Sequence, residues 1–281
     1  MVRHSVSRPI DVLHLGRDRV ICAYEVDGVI VDPGPASCVE TLIDRLGPVE
    51  PKALLLTHIH LDHAGATGVL CRRYPKLKVY VHEVGAPHLI DPSKLLKSAG
   101  RLYGDDMWEL WGEVAPVPEE RITVLSGGET VEGFRVAYTP GHASHHVSYL
   151  HEESGEAYVG DVAGVRIPPY EWVVAPTPPP DIDVEAWFDS LHTIACWNAQ
   201  SLALTHFGQV TAVADHLHRM RTALVMQADA ARMKDEEMFI ARMEEELLEH
   251  SDRATVEAFE QAAPPNQLYM GLERYWRKKA E

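Results

Sequence analysis

The chain is poor in the features that mark membrane, secreted and nucleic-acid-binding proteins. It has no apolar run of about 18 residues, so no membrane-spanning helix is predicted. No charged segment followed by an apolar stretch opens the chain, and no signal peptide is expected. Basic residues are few: 26 Lys and Arg against 42 Asp and Glu give a formal net charge of -16. A surface of that sign repels phosphate backbones, so nucleic acid is disfavoured as a partner, although a metal site can be locally positive. The four cysteines, Cys22, Cys38, Cys71 and Cys196, are scattered with no C-x-x-C pair. They read as reduced, mostly buried thiols, and the expected location is cytoplasmic.

What is present is an ordinary globular composition, with 46% hydrophobic and 24% charged residues over 281 positions. That length suits one large domain with an appendage. Short apolar runs at Val12 to Leu15, Val20 to Val26, Gly28 to Asp32, Ala53 to Leu56 and Lys78 to Val81 read as strands. Helical spacing over Ser37 to Leu46 and Ala64 to Tyr74 places helices between them. Arg121 to Leu125, Phe134 to Tyr138, Val147 to Leu150, Ala157 to Val159 and Ser201 to Leu204 repeat the strand pattern. Val184 to Ile194 is helical, and the Pro-rich stretch Ile167 to Pro180 is neither helix nor central strand. From about Val210 the pattern is helical, broken at Pro264-Pro265. This divides the chain into a catalytic domain over 1–210 and a C-terminal helical extension over 211–281 that packs on it or caps it. Two strand-and-helix halves predict two sheets covered by helices.

The chemistry concentrates in Thr57-His58-Ile59-His60-Leu61-Asp62-His63, directly after the strand Ala53 to Leu56. Imidazole and carboxylate are good ligands for zinc, and also for iron, manganese or nickel. One ion cannot collect three His and one Asp from so tight a loop, whereas a pair can share them. His58 and His60 project to one side of an extended segment, and a bend at Asp62 turns Asp62 and His63 elsewhere. More ligands must come from other strand ends. His142 follows Phe134 to Tyr138, Asp161 follows Ala157 to Val159, and His206 follows Ser201 to Leu204.

Together, Thr57 to Gly65, Thr139 to His142, Gly160-Asp161 and Thr205-His206 resemble the ligand motifs of the metallo-β-lactamase superfamily, in order and spacing. The resemblance covers about residues 10 to 210. It implies an αββα sandwich with the site at the edge between two sheets. It implies a first metal on His58, His60 and His142, a second on Asp62, His63 and His206, and a bridging Asp161. The pattern resembles the glyoxalase II, lactonase and ribonuclease Z type. True β-lactamases lack the bridging Asp, and flavodiiron oxygen reductases carry Glu where His60 stands.

The implied activity is hydrolysis with two divalent ions, zinc first, with iron or manganese as alternatives. A water shared by two such ions has its pKa lowered from ~15.7 toward ~7, and the resulting hydroxide attacks an ester, thioester, lactone or phosphoester. Asp62 is the candidate to orient it and to shuttle the proton. Thr57, Asp32 and Thr205 are positioned to hold the ligand rings. Tyr103, Trp108 and Trp111, and Arg166, Tyr170 and Trp172, are candidate substrate contacts; packing is the competing account for both groups. His145 and His146 stand near His142, and one of them could face the pocket. His82, His88, His192, His216 and His218 read as structural or surface residues. The expected partner is a small molecule, and the apolar C-terminal helices leave a homodimer open. The alternatives are a persulfide dioxygenase with one iron on His58, His142 and Asp161, and a ribonuclease Z-like nuclease.

Overall fold

The computed structural model describes residues 7–281, which form two six-stranded sheets packed face to face and covered by helices. The first sheet holds β1 (Arg8–Asp11), β2 (Cys22–Val26), β3 (Val29–Val31), β4 (Ala53–Leu55), β5 (Lys78–His82) and β6 (Ile122–Leu125), in that order. It is antiparallel from β1 to β3 and parallel from β3 to β6. The second holds β7 (Thr130–Val131), β8 (Phe134–Tyr138), β9 (Val147–His151), β10 (Glu156–Tyr158), β11 (Ser201–Leu204) and β12 (Gly208–Val210). There only β10 and β11 are parallel neighbours.

The pleat sorts side chains between two cores. Tyr24, Val31, Leu55, Phe134, Tyr149 and Tyr158 point between the sheets, while Ala23, Ile30, Leu54, Leu150 and Ala157 point under the helices. Buried tyrosines need a partner for the hydroxyl. Tyr24 Oη donates to Leu204 O at 2.7 Å, and Tyr149 Oη donates to Leu56 O at 2.8 Å. Two main-chain bonds also cross between the sheets, Cys22 N to Thr205 O and Val147 N to Thr57 O, both 2.8 Å. All four bonds end on the segments that carry the metal motifs.

The helices are α1 (Val39–Leu46), α2 (Leu61–Ala64), α3 (Thr67–Arg73), α4 (Ala86–Ile90), α5 (Ser93–Tyr103) and α6 (Met107–Trp111), then α7 (Val184–Cys196), α8 (Val213–Ala231), α9 (Glu236–His250), α10 (Arg253–Ala262) and α11 (Pro265–Ala280). Aspartates cap three of them: Asp183 accepts from Ala186 N, Asp235 from Met238 N and Asp252 from Thr255 N. α8 packs on α7, and α11 on α8 and α9. One continuous apolar cluster runs from Ile10 through Trp187 to Leu272 and Tyr275, so the C-terminal helices share the core of the sandwich. None of the described helices is long and apolar enough to cross a membrane. The four cysteines are free, with Cys196 exposed and the others buried.

Several expected elements are corrected. Val12 to Leu15 is not a strand: the Asp11 carboxylate accepts from Leu13 N and Arg19 N, and Leu13 and Leu15 turn into left-handed backbone. The helix expected over Ala64 to Tyr74 is divided into α2 and α3. Val210 ends a short strand paired with β11, and the helical run begins at Val213.

Trp187 shows how one core residue serves the site. It is fully buried on α7, its indole donates to Val162 O at 2.8 Å, and its ring meets His142 edge-on at 5.6 Å. Replacing it by Ala should destabilise the protein by about 3–5 kcal/mol. Urea denaturation checks this as a lowered midpoint at unchanged slope.

Candidate metal centre

Five strands end at one edge of the sandwich, and each delivers a polar residue to the same place: β3 gives Asp32, β4 gives Thr57 to His63, and β8, β10 and β11 lead to His142, Asp161 and His206. Two glycines allow the loops to converge. A Cβ on Gly141 (φ +135°) would lie 2.4 Å from Trp187 Cα, and one on Gly160 (φ +48°) would lie 2.5 Å from Thr57 Oγ1. Side chains at these positions would hold the His142 and Asp161 loops away from their neighbours.

The seven residues expected as ligands come together. His58 Nε2 and His142 Nε2 each lie 3.0 Å from His60 Nδ1. Asp62, His63 and His206 form a second cluster, with Asp62 Oδ2 at 3.3 Å from His206 Nε2 and 3.6 Å from His63 Nε2. Asp161 faces both. Its Oδ2 is 3.3 Å from His142 Nε2, and its Oδ1 is 3.2 Å from His63 Nε2 and 3.5 Å from His206 Nε2.

Four imidazoles are oriented by a bond on the other ring nitrogen, the arrangement that aims a ligand at a metal. His58 Nδ1 meets Thr57 Oγ1 at 3.1 Å, His63 Nδ1 meets Asp32 Oδ2 at 2.9 Å, His142 Nδ1 meets Pro176 O at 2.8 Å and His206 Nδ1 meets Val20 O at 2.6 Å. Donation from Nδ1 to a carbonyl or carboxylate leaves Nε2 with a lone pair toward the centre. Asp32 is the hub: it also accepts from Thr57 N at 2.8 Å, Thr57 Oγ1 at 2.7 Å and Thr205 Oγ1 at 3.1 Å.

The donor set fits metal ions. His63 Nε2, His206 Nε2 and Asp161 Oδ1 are buried with no hydrogen-bond partner, a cost that a cation among them removes. Electrostatics divide the two clusters. Burial and the neighbouring imidazoles hold His58 well below the usual histidine range, and burial holds His60 down to about 4. These rings are neutral and ready to ligate. Burial opposes charge on His63, but Asp161, Asp62 and Asp32 outweigh it and raise its pKa well above the ordinary value. Burial likewise opposes charge on Asp161, yet His63, His142 and His206 hold it well below the carboxylate range. The second cluster therefore needs positive charge among its carboxylates, which a divalent cation supplies.

The centre opens into a cavity of about 680 Å³ bordered by His60, Asp62, Asp161 and His206 at its metal end. Tyr103 and Trp111 are in its wall. The other proposed contacts are elsewhere. Trp108 is 74% exposed and outside the lining. Arg166 Nε donates to Tyr170 O within its own loop, while Tyr170 Oη donates to Asp252 and Trp172 stacks on His250 at 4.1 Å, so these last two pack toward the C-terminal helices. His145 borders the cavity, while His146 is buried and stacks on His58 at 5.0 Å. His88, read from sequence as structural or surface, lies in the wall. So do His14, which stacks on Trp111 at 5.3 Å, and Leu268 of α11. No local motif marks these residues, because they meet only through long-range packing.

The chain belongs to the metallo-beta-lactamase superfamily: the sequence model of that family matches residues 21–195. The protein is thus a member of a family of metallo-hydrolases. It is similar to the metallo-beta-lactamase fold-containing protein ST1585 of Sulfurisphaera tokodaii, 28% identical over 229 residues, or 77% of this chain and 83% of that one. The crystal structure of ST1585 superposes with a TM-score of 0.70 at 23% identity, covering 95% of this chain and 98% of that chain. A hydroxyacylglutathione hydrolase of a Synechococcus strain is 31% identical over 136 residues, 47% of this chain and only 42% of the relative. The crystal structure of TTHA1623 in a di-iron-bound form has 26% identity and a TM-score of 0.52, over 68% of this chain and 85% of that one.

Replacing Asp32 by Ala removes the acceptor that orients His63 directly and His58 through Thr57. Metal affinity should fall about 10–100-fold, as read by competition with a chromophoric chelator.

Proposed function

We propose that this protein is a dinuclear metal-dependent hydrolase that cleaves an ester-type bond, with thioesters the leading class. The observation that carries this reading is the splayed Asp161 carboxylate, with one oxygen toward His142 and the other toward His63 and His206. His58, His60 and His142 would hold one ion, and Asp62, His63 and His206 the other. Bound there, divalent ions supply an acidified water and polarise the carbonyl under attack.

The chain's own groups do the rest. Asp62 is the one ligand carboxylate with substantial exposure, 21% of its side chain, and it borders the cavity. Burial raises its pKa, but His63 and His206 outweigh this and hold it well below the usual range. It stays ionised, so it can accept a hydrogen bond from the attacking water and orient it, but it carries no proton to give a leaving alkoxide. A thiol has a pKa of roughly 8.5 and leaves as thiolate with little help, which favours thioesters among the candidates. His145 contributes a donor: Ile59 N donates to its Nδ1 at 3.4 Å, which leaves Nε2–H as the free donor of a ring at the cavity edge. The similarity to hydroxyacylglutathione hydrolases supports the same class, although it spans less than half of their length.

Two metals per chain, and thioester cleavage abolished by chelation and restored by zinc, iron or manganese, are the expected results. One iron per chain with oxygen uptake overturns the proposal in favour of a dioxygenase, and salt-sensitive RNA cleavage without thioester turnover favours a nuclease. Asp161→Asn should lower kcat at least about 100-fold if its carboxylate serves both ions. Full turnover by Asp62→Asn with both metals bound removes Asp62 from the mechanism.

A further inference from the structure

The cavity above the metal centre constrains what can enter it. Its volume of about 680 Å³ is that of a site for a whole small molecule, not for a short acetyl-sized group. Away from the metal end the wall is apolar. Leu95 and Leu102 of α5, Leu110 and Trp111 of α6, and Leu268 and Met270 of α11 enclose it. Tyr103 meets Trp111 edge-on at 5.0 Å, and His14 stacks beneath Trp111, so three rings form a continuous shelf.

The polar groups of the deep wall are already engaged with one another. Gln261 Nε2 donates to His14 O at 2.9 Å and meets His14 Nδ1 at 3.0 Å, while its Oε1 accepts from Arg17. His14 Nε2 is 2.9 Å from Leu110 O, and Ser144 Oγ donates to Asp181 at 2.6 Å. The polar wall groups with unused donors or acceptors lie at the two ends: Lys94, Ser98, Arg101 and Asp106 are exposed residues on or just after α5 at the solvent side, His145 stands at the metal end, and His88 and Gln267 are half-buried at the margin of the shelf. A peptide-like conjugate laid along the apolar shelf would lose water from its amides and find few partners there in return. An alkyl or aryl group loses nothing of that kind and gains burial.

Resting on the hydrolase reading above, we infer that the substrate carries an extended apolar acyl or aryl group that lies along the shelf of α5, α6 and α11. Polar glutathione-type conjugates and short acyl groups are poor substrates for this chain.

The test uses the full-length, metal-reconstituted protein and two readouts. The first is kcat/KM for a thioester series from acetyl to octanoyl, with a hydroxyacylglutathione for comparison. The second is calorimetric binding of the carboxylates from acetate to octanoate, which needs no turnover. Each added methylene that is buried should improve both by about fourfold, so with only three of the added methylenes buried octanoyl should exceed acetyl about 60-fold. Leu102→Asp should abolish the gain with chain length, and Leu102→Met should preserve it. A flat or falling thioester series with equal carboxylate affinities overturns the inference while leaving hydrolysis intact. Graded carboxylate binding without cleavage of any thioester supports the apolar pocket and overturns the thioesterase reading instead.

Discussion

The arrangement depends on one buried carboxylate that is not itself a metal ligand. Asp32 is fully buried, at the end of β3, in left-handed backbone at φ +48°. A non-glycine residue rarely adopts that conformation, and aspartate is among those that tolerate it. The turn folds its carboxylate back toward the neighbouring strand end, where it meets Thr57 N, Thr57 Oγ1, His63 Nδ1 and Thr205 Oγ1. These bonds join three strand ends from both sheets. A buried carboxylate is tolerable only when so fully satisfied, and the same donors fix the loops that carry His58, His63 and His206.

Much of this was legible along the chain because strand ends are local events. An apolar run followed by His or Asp can be read for β4, β8, β10 and β11, and convergence of those ends follows once the sheets form. Asp32 could be noticed as a strand-end acid, but its hub role depends on Thr57 and Thr205, which are distant in sequence. The misread N-terminal segment has a similar cause. Val12 to Leu15 is apolar enough for a strand, yet the Asp11 side chain captures two amides and turns the chain away. Local propensity gave way there to a side-chain-to-backbone bond.

The substrate wall was the least legible part. Arg166, Tyr170 and Trp172 follow Asp161 closely, which suggested that they stay near it. The short helical turn at Gly160–Ala163 and the bridge between Val165 and Val174 redirect the chain, so Arg166 bonds within its own loop and the side chains of Tyr170 and Trp172 face α8, α9 and the start of α10 instead. The wall is built from α5, α6 and the junction of α10 with α11, segments separated by about half the sequence. Nothing in the spacing of Trp111 and Leu268 announces that they border one cavity.

The two parts of the site therefore answer to different physical demands. The metal end is polar, buried and over-determined: each ligand ring but His60 has a partner on its outer nitrogen, and small residues such as Gly141 and Gly160 leave no slack. Small displacements there cost ligand geometry, so its side chains have little freedom to vary. The far end is held by apolar packing of helices, which tolerates exchange of one hydrophobic residue for another at modest cost. Pro176 joins the two, since its carbonyl orients His142 while the residue itself borders the cavity. A change of substrate can thus be accommodated by α5, α6 and α11, whereas a change of chemistry would require rebuilding the strand ends.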